Sequence, residues 1–145
     1  MGVRNVQEGD YGVLVTLYKS FFKTHNIFQQ PDKTIMEYLK QQSKENELIV
    51  YDDNESLKGA LYLVNLSQNS SHVLWKFKHV AFESETIASA LLEEAEKRVK
   101  GTSTSVKIEL TIAESEDGID FYKSNGYVQE GALSNHYRKG ETCFI

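Results

Sequence analysis

The chain has 145 residues and a formal charge of −5, from 16 basic and 21 acidic side chains. An apolar share of 40 % beside 26 % charged residues is that of an ordinary globular chain, which excludes disorder as the main state. The acidic balance counts against a protein that lives on nucleic-acid backbones. One cysteine, Cys143, excludes an intrachain disulfide and fits a reducing compartment. The start, MGVRNVQEGD, has no apolar core of a signal peptide, and the longest near-apolar run, about Leu57 to Leu66, holds Lys58 and is too short to span a bilayer. A single cytoplasmic domain over 1–145, with no membrane or nucleic-acid partner, is expected.

In chain order, Val3 to Val6 reads as a short first strand. From Glu8 onward Val13, Leu14, Leu17, Tyr18, Phe21 and Phe22 recur at three- and four-residue spacing, the stripe of an amphipathic helix. A loop over 26–31 precedes Asp32, which is placed to cap a second helix carrying Ile35, Tyr38 and Leu39. The period then changes to two. Residues 47–51 read as a strand and 52–55 as its turn; Leu57 to Leu66 and Val73 to Phe82 are the next strands, joined by the polar turn 67–71. Simple alternation puts Val73, Trp75, Phe77, His79 and Ala81 on one face of the last of these, and Leu74, Lys76, Lys78, Val80 and Phe82 on the other.

Ile87, Ala88, Leu91, Leu92, Ala95 and Val99 form the strongest helical stripe in the chain. Lys97, Arg98 and Lys100 suit the macrodipole in its last turn, and Gly101 is placed to end it. Val106, Ile108, Leu110 and Ile112 alternate with polar residues as one strand. Ser115-Glu116-Asp117 opens a helix through Phe121 and Tyr122 that Asn125-Gly126 ends. The remainder gives two strands with a turn near Lys139-Gly140.

The order β-α-α-β-β-β-α-β-α-β-β describes an α/β (α+β) domain with a mixed, mostly antiparallel seven-stranded sheet flanked by four helices. It resembles the GCN5-related N-acetyltransferase (GNAT) fold over nearly the whole chain. The most specific local match is Phe121-Tyr122-Lys123-Ser124-Asn125-Gly126-Tyr127, where the family has an aromatic or Leu, then Tyr, polar residues, Gly and an aromatic. The resemblance implies a sheet that splays between its fourth and fifth strands to admit a pantetheine arm. It also implies an activity, the transfer of an acetyl group from acetyl-CoA as cosubstrate to an amine.

The resemblance further implies a diphosphate-binding loop between the fourth strand and the next helix. Its pattern is Arg or Gln, two residues, Gly, one residue, Gly or Ala, and its glycines let backbone N–H groups approach the diphosphate at a helix N-terminus. Here the tail, Ile87-Ala88-Ser89-Ala90-Leu91-Leu92, fits the family's helix. The head departs from the loop pattern: Glu83 stands where Arg or Gln is expected, Thr86 where Gly is expected, and the loop is shorter. The cofactor contacts implied are Val80, Ala81 and Phe82 at the strand end, Ser84, Thr86, Ile87, Ala88 and Ser89 at the helix start, and Ser115 and Phe121 further on. Ser84 is equally an ordinary N-cap. Glu83 and Glu85 would repel a diphosphate, most strongly at low salt.

Acetyl transfer needs an amine that has lost its proton, a donor for the carbonyl oxygen and an acid for the leaving thiolate. By resemblance Tyr122 is that acid, since a phenol is neutral at pH 7 and can donate once; the alternative is a core aromatic on an amphipathic helix. His79 titrates in a range that suits a base, yet alternation equally makes it a packed histidine beside Trp75 and Phe77. Glu83 is the other base, acting directly or through a water. Phe21, Phe22, His25, Phe28 and Tyr38 are either an aromatic acceptor pocket or the core stripes of two helices, which leave only Phe28 unexplained. No pair of residues has metal-ligand spacing. Two functions follow: an acyl-CoA-dependent N-acetyltransferase acting on a small-molecule or protein amine, and a catalytically inactive GNAT-like domain that binds a ligand or partner. Strand edges in the last hairpin also offer pairing across a homodimer.

Overall fold

Five strands, β1 (Gly2–Asn5), β2 (Glu47–Asp52), β3 (Leu57–Gln68), β4 (Val73–Phe82) and β5 (Val106–Glu109), pair in that order in one sheet. The computed structural model describes residues 2–23, 25–69, 71–113, 119–134 and 142–145, and contacts gather the chain into two units, Met1–Ile108 and Glu109–Ile145. In the first unit β1–β2, β2–β3 and β3–β4 are antiparallel; the last two pairs are hairpins closed by short polar turns, the connection that antiparallel neighbours allow, whereas α1 and α2 lie between β1 and β2. Those turns are closed by side chains. Asp52 accepts from the Asn54 N–H at 2.8 Å, and Asp53 from Glu55 and Ser56 at 2.9 Å. Asn69 does the same for Ser71 at 3.0 Å and His72 at 2.8 Å, which is why Asx residues recur in such turns.

Alternation on β3 sets the layers. Ala60 and Tyr62 join a core with Leu14 and Tyr18 of α1 (Tyr11–Phe21) and Ile35 and Leu39 of α2 (Asp32–Glu45). Gly59 faces the other side, toward α3 (Glu85–Lys100), whose Ala88, Leu91, Leu92, Ala95 and Val99 are buried as its stripe predicts. A Cβ on Gly59 would lie 2.7 Å from Ile87 Cγ2 and Leu91 Cδ1 and 3.1 Å from the Ala81 carbonyl oxygen. The first turns of α3 therefore rest on bare strand backbone beside the end of β4. Gly59→Ala is expected to cost about 1–3 kcal/mol, because the branched Ile87 and a backbone carbonyl have little room to yield. Urea titration would show a lower midpoint with an unchanged slope. At its far end α3 is held by Arg98, which donates to Asn5 Oδ1 at 2.6 Å and Glu94 Oε1 at 3.1 Å and pairs with Glu47.

Several expectations are corrected. Pro31, with ψ 151°, occupies the cap position of α2, and Asp32 is the first helical residue; its carboxylate accepts from Lys19 Nζ at 2.7 Å instead of capping. The loop 26–31 contains a 3₁₀ turn, Asn26–Gln29, opened by His25 Nδ1 accepting from the Ile27 N–H. The run 106–112 is not one strand. β5 ends at Glu109, and Ile112–Ala113 is β6, in a different sheet. Alternation records burial and is silent about the partner, so it runs unbroken across a change of sheet. The described strands thus number eight in two sheets rather than seven in one. β5 does join β4 as its sheet neighbour. Val73 N–H donates to the Ser105 carbonyl at 3.0 Å, so β5 starts beside the start of β4. Its four residues, at about 3.3 Å each, reach less than halfway along the ten-residue β4.

In the second unit β6, β8 (Thr142–Phe144) and β7 (Ala132–Ser134) form an antiparallel sheet in the order β6-β8-β7. Helix α4 (Ile119–Ser124) is followed by Gly126 at φ +91°, and the Asn125 side chain donates to the Phe121 carbonyl at 2.9 Å. The Asn125-Gly126 stop is therefore met by a residue in the left-handed region that suits glycine. The predicted helix start 115–117 and the turn at 139–140 lie outside the described residues. Among the described residues no helix is long and apolar enough to cross a membrane.

Candidate active site

The second half of β4 is irregular in a way that places its side chains. Between the pairs Ala60↔Ala81 and Tyr62↔Lys78, two steps along β3 face three along β4. The strand carries one extra residue, a β-bulge. His79 sits there at φ +51°, a region histidine tolerates better than most side chains. The bulge breaks the alternation, so the expectation that His79 shares a face with Phe77 is corrected. Phe77 opposes Leu63, while His79 turns to the Tyr62 side of the sheet, toward α1 and α2. There its ring lies 5.2–6.2 Å from those of Tyr18, Phe22, His25, Phe28, Tyr38 and Tyr62.

Two tyrosines fix this residue. Tyr18 OH donates to the His79 carbonyl at 2.8 Å, and Tyr38 OH lies 2.7 Å from His79 Nε2. Burial above all, then the charges of Lys78, His25 and Lys76, holds the imidazole well below its ordinary pKa. It is neutral at pH 7, with one ring nitrogen a donor and the other an acceptor. Burial also raises the pKa of Tyr38, so the pair is a neutral imidazole and a neutral phenol. Phe28, which the helical stripes left unexplained, is 1 % exposed and stacks on Tyr18 at 4.9 Å. It is part of the wall that holds His79.

Beyond the bulge, Val80 and Ala81 are buried, and Phe82 leans on Phe21 with centroids 4.9 Å apart. A cleft of about 220 Å³ opens beside them, lined in part by Leu17, Phe21, Leu57, Phe82 and Glu83. This part of β4 lies past the reach of β5, so its outer edge offers backbone groups that β5 does not use. Glu83 is not an isolated carboxylate: it lies 3.3 Å from Lys58 Nζ, and its N–H donates to the Lys58 carbonyl at 2.9 Å. Ser84 is the N-cap of α3, its hydroxyl accepting from the Ile87 N–H at 3.4 Å. The N–H groups of Glu85 and Thr86, in the first turn, have no acceptor within the helix. Ile87 and Ser89 are half-buried and Ala88 is buried.

The first unit thus gathers His79, Glu83 and the stretch 80–89 at one end of β4. Tyr122 and Phe121 belong to α4 of the second unit, where they are 6 % and 7 % exposed. The Tyr122 ring meets those of Phe121 and Tyr127 edge-on at 5.4 and 5.9 Å, and its carbonyl accepts from the Tyr127 N–H at 3.1 Å. Ser115 lies outside the described residues. The roles of Tyr18 and Tyr38 as partners of His79 went unread in the sequence, as did Lys58. A signal for Lys58 existed, the one charged residue of its strand, at the head of an apolar run.

A family model described as Acetyltransferase (GNAT) domain matches residues 15–140. Among solved structures, the fold is similar to that of the aminoglycoside 6'-N-acetyltransferase from Enterococcus faecium, at 15 % identity and a TM-score of 0.73, covering 99 % of this chain and 94 % of that one. An aminoglycoside 6'-N-acetyltransferase complexed with coenzyme A is similar at 15 % identity and a TM-score of 0.77, with the same 99 % and 94 % coverage. So is an N-acetyltransferase from Staphylococcus aureus Mu50, at 14 % identity, a TM-score of 0.71, and 98 % and 94 % coverage. At these identities the likeness is one of fold. Comparison with curated protein sequences gave no match.

Proposed function

Because the chain belongs to the GNAT acetyltransferase family, we propose that it transfers the acetyl group of acetyl-CoA to a primary amine of a small molecule at the bulged end of β4. The observation that carries this reading is the bulge itself. It turns a neutral His79, bonded to Tyr38, toward α1 and α2, on a stretch of strand whose outer edge β5 does not reach. The small-molecule acceptor is supported by structural neighbours described as aminoglycoside N-acetyltransferases.

The residues present fit an acyl-CoA. A strand edge that β5 does not reach suits an amide-bearing pantetheine arm, and a helix start whose first N–H groups have no acceptor within the helix suits a diphosphate. When bound, the coenzyme supplies an activated acyl carbonyl and a thiolate leaving group. The backbone of Val80, Ala81 and Phe82 orients the arm. The N–H groups of Glu85 and Thr86, with the hydroxyls of Thr86 and Ser89, hold the diphosphate, while Ser84 keeps the helix start in place and Ile87 and Ala88 pack it on the sheet. By the family resemblance, Ser115 and Phe121 are the remaining cofactor contacts of this reading. His79, held by Tyr38, accepts the proton that the amine loses as its nitrogen bonds to the acyl carbon. Glu83 is the alternative acceptor of that proton. Tyr122 gives its phenolic proton to the sulfur.

The test is thiol release from acetyl-CoA with a panel of small primary amines beside lysine-containing peptides. Release with the small amines is expected. Acetyl-CoA at a hundred times its Kd should also stabilise the fold by about 2.7 kcal/mol. Release with peptides alone would assign a protein acceptor instead. Neither release nor stabilisation would end the reading.

A further inference from the structure

We infer that Lys58 binds the diphosphate of the coenzyme, supplying from a neighbouring strand the cation that the β4–α3 connection lacks. The inference rests on the reading above and concerns a residue which that reading leaves unused. From Phe82 to Glu96 the sequence has no basic residue, and it places Glu83 and Glu85 where an anion is to be held. Left alone, those two carboxylates make the connection repulsive to a diphosphate.

Lys58 changes that balance. Its carbonyl accepts the Glu83 N–H at 2.9 Å, one residue before the cap of α3, so strand and connection are tied at this point. Its ammonium lies 3.3 Å from the Glu83 carboxylate. The β2–β3 ladder shifts register here, with Tyr51↔Gly59 followed by Asp52↔Leu57, so Lys58 is the additional residue of a bulge. Bulges re-aim side chains out of the ordinary alternation. Gly59, the next residue, lets Ile87 of α3 rest on the strand, which keeps the helix start close to Lys58.

The pair is also built to exchange partners. The Lys58 side chain is 31 % exposed and that of Glu83 52 %. An ion pair this open to water contributes little to stability, so its opening costs little. A diphosphate carries more charge than one carboxylate and presents several acceptor oxygens, so it displaces Glu83 from the ammonium. In the free protein Glu83 keeps the lysine in place; in the complex the lysine neutralises the ligand.

The experiment measures binding directly, by calorimetry at low and high salt, with coenzyme A and with acetyl-pantetheine, which has no diphosphate. Lys58→Gln is expected to weaken coenzyme A about tenfold at low salt and less at high salt, and to leave acetyl-pantetheine unchanged. Lys58→Arg should keep the affinity, and Glu83→Gln, which frees the ammonium, should tighten coenzyme A severalfold. Melting curves check that each variant is folded, as the exposure of both side chains predicts. Equal binding of coenzyme A by Lys58→Gln and the unaltered protein overturns the assignment, as does an equal loss for acetyl-pantetheine. No binding of coenzyme A by the unaltered protein overturns both the assignment and the reading it rests on.

Discussion

Replacing Tyr122 by Phe is expected to slow acetyl transfer about 10²- to 10⁴-fold, the usual span of a general acid–base contribution. The ring lies on α4, 6 % exposed and edge-on to Phe121 and Tyr127. Phe keeps those ring contacts and the occupied volume, so only the hydroxyl is lost. One hydrogen bond's worth of stability, about 0.5–1.5 kcal/mol, is the largest structural cost expected. The effect should fall on kcat and leave KM for acetyl-CoA nearly unchanged, because the proton moves only as the sulfur leaves. Thiol-release rates measured beside a denaturant titration separate the two roles. A rate within about twofold of the unaltered protein, against the general-acid span, leaves Tyr122 as a core aromatic.

His79→Asn has its largest effect on stability. Asn accepts the left-handed backbone of the bulge, so the strand path is kept while the ring is lost from among its aromatic neighbours, together with the partner of Tyr38. A cost of about 2–4 kcal/mol is expected, on the scale of large-to-small core changes. The pH dependence identifies the cause. In the folded protein His79 titrates well below 6.5, chiefly through burial, whereas in the unfolded chain it keeps its ordinary value. Between those two pKa values the unfolded chain binds a proton that the folded protein does not. Stability therefore falls as the pH drops below about 6.5, by at most ~1.4 kcal/mol per pH unit, until the folded pKa is passed. Asp10, lowered through its bond to Arg4, and Asp53, lowered by the Ser56 and Glu55 N–H groups, also lose stabilisation in acid. They do so only below about pH 4, the ordinary carboxylate range. Urea titrations near pH 7 and pH 5, values that bracket the ordinary histidine pKa, should thus show a larger loss for the unaltered protein than for His79→Asn. Equal losses would remove His79 as the source.

What could be read from the sequence follows from which interactions are local. The stripe of α3 gives the face that helix buries, and that of α1 does so at Leu14, Leu17 and Tyr18, although Val13 of the stripe is exposed and Tyr11 and Val15 outside it are buried; the bounds Val73 to Phe82 predicted for β4 are those found. Asx turns and the Asn125-Gly126 stop are also local chemistry, written within a few residues. The bulge at His79 is not. It is a mismatch of count between two strands, and neither strand alone carries a sign of it, least of all where the residue in the left-handed region is not glycine. The same holds for Lys58, whose approach to Glu83 depends on a register shift against β2. The break after Glu109 was hidden because Leu110 and Ile112 are both buried, as an uninterrupted strand would have them. In the candidate site, then, the residues at 79–89 were named from the chain order, while the direction in which His79 faces required the three-dimensional pairing.

The two irregularities of the β3–β4 ladder bear on how the hairpin avoids misfolding. A regular antiparallel pair can slip by two residues and still keep every side chain on its proper face, so such hairpins have near-degenerate alternatives. Here the ladder has an extra residue on β4 between Ala60 and Tyr62 and an extra residue on β3 between Asn65 and Ser67. The two offsets lie on opposite strands and act as notches of opposite sense. A slipped pairing would bring both out of step, burying Lys78 or exposing His79 with no gain elsewhere. The device that turns a histidine toward the first two helices also ties the β3–β4 hairpin to a single alignment.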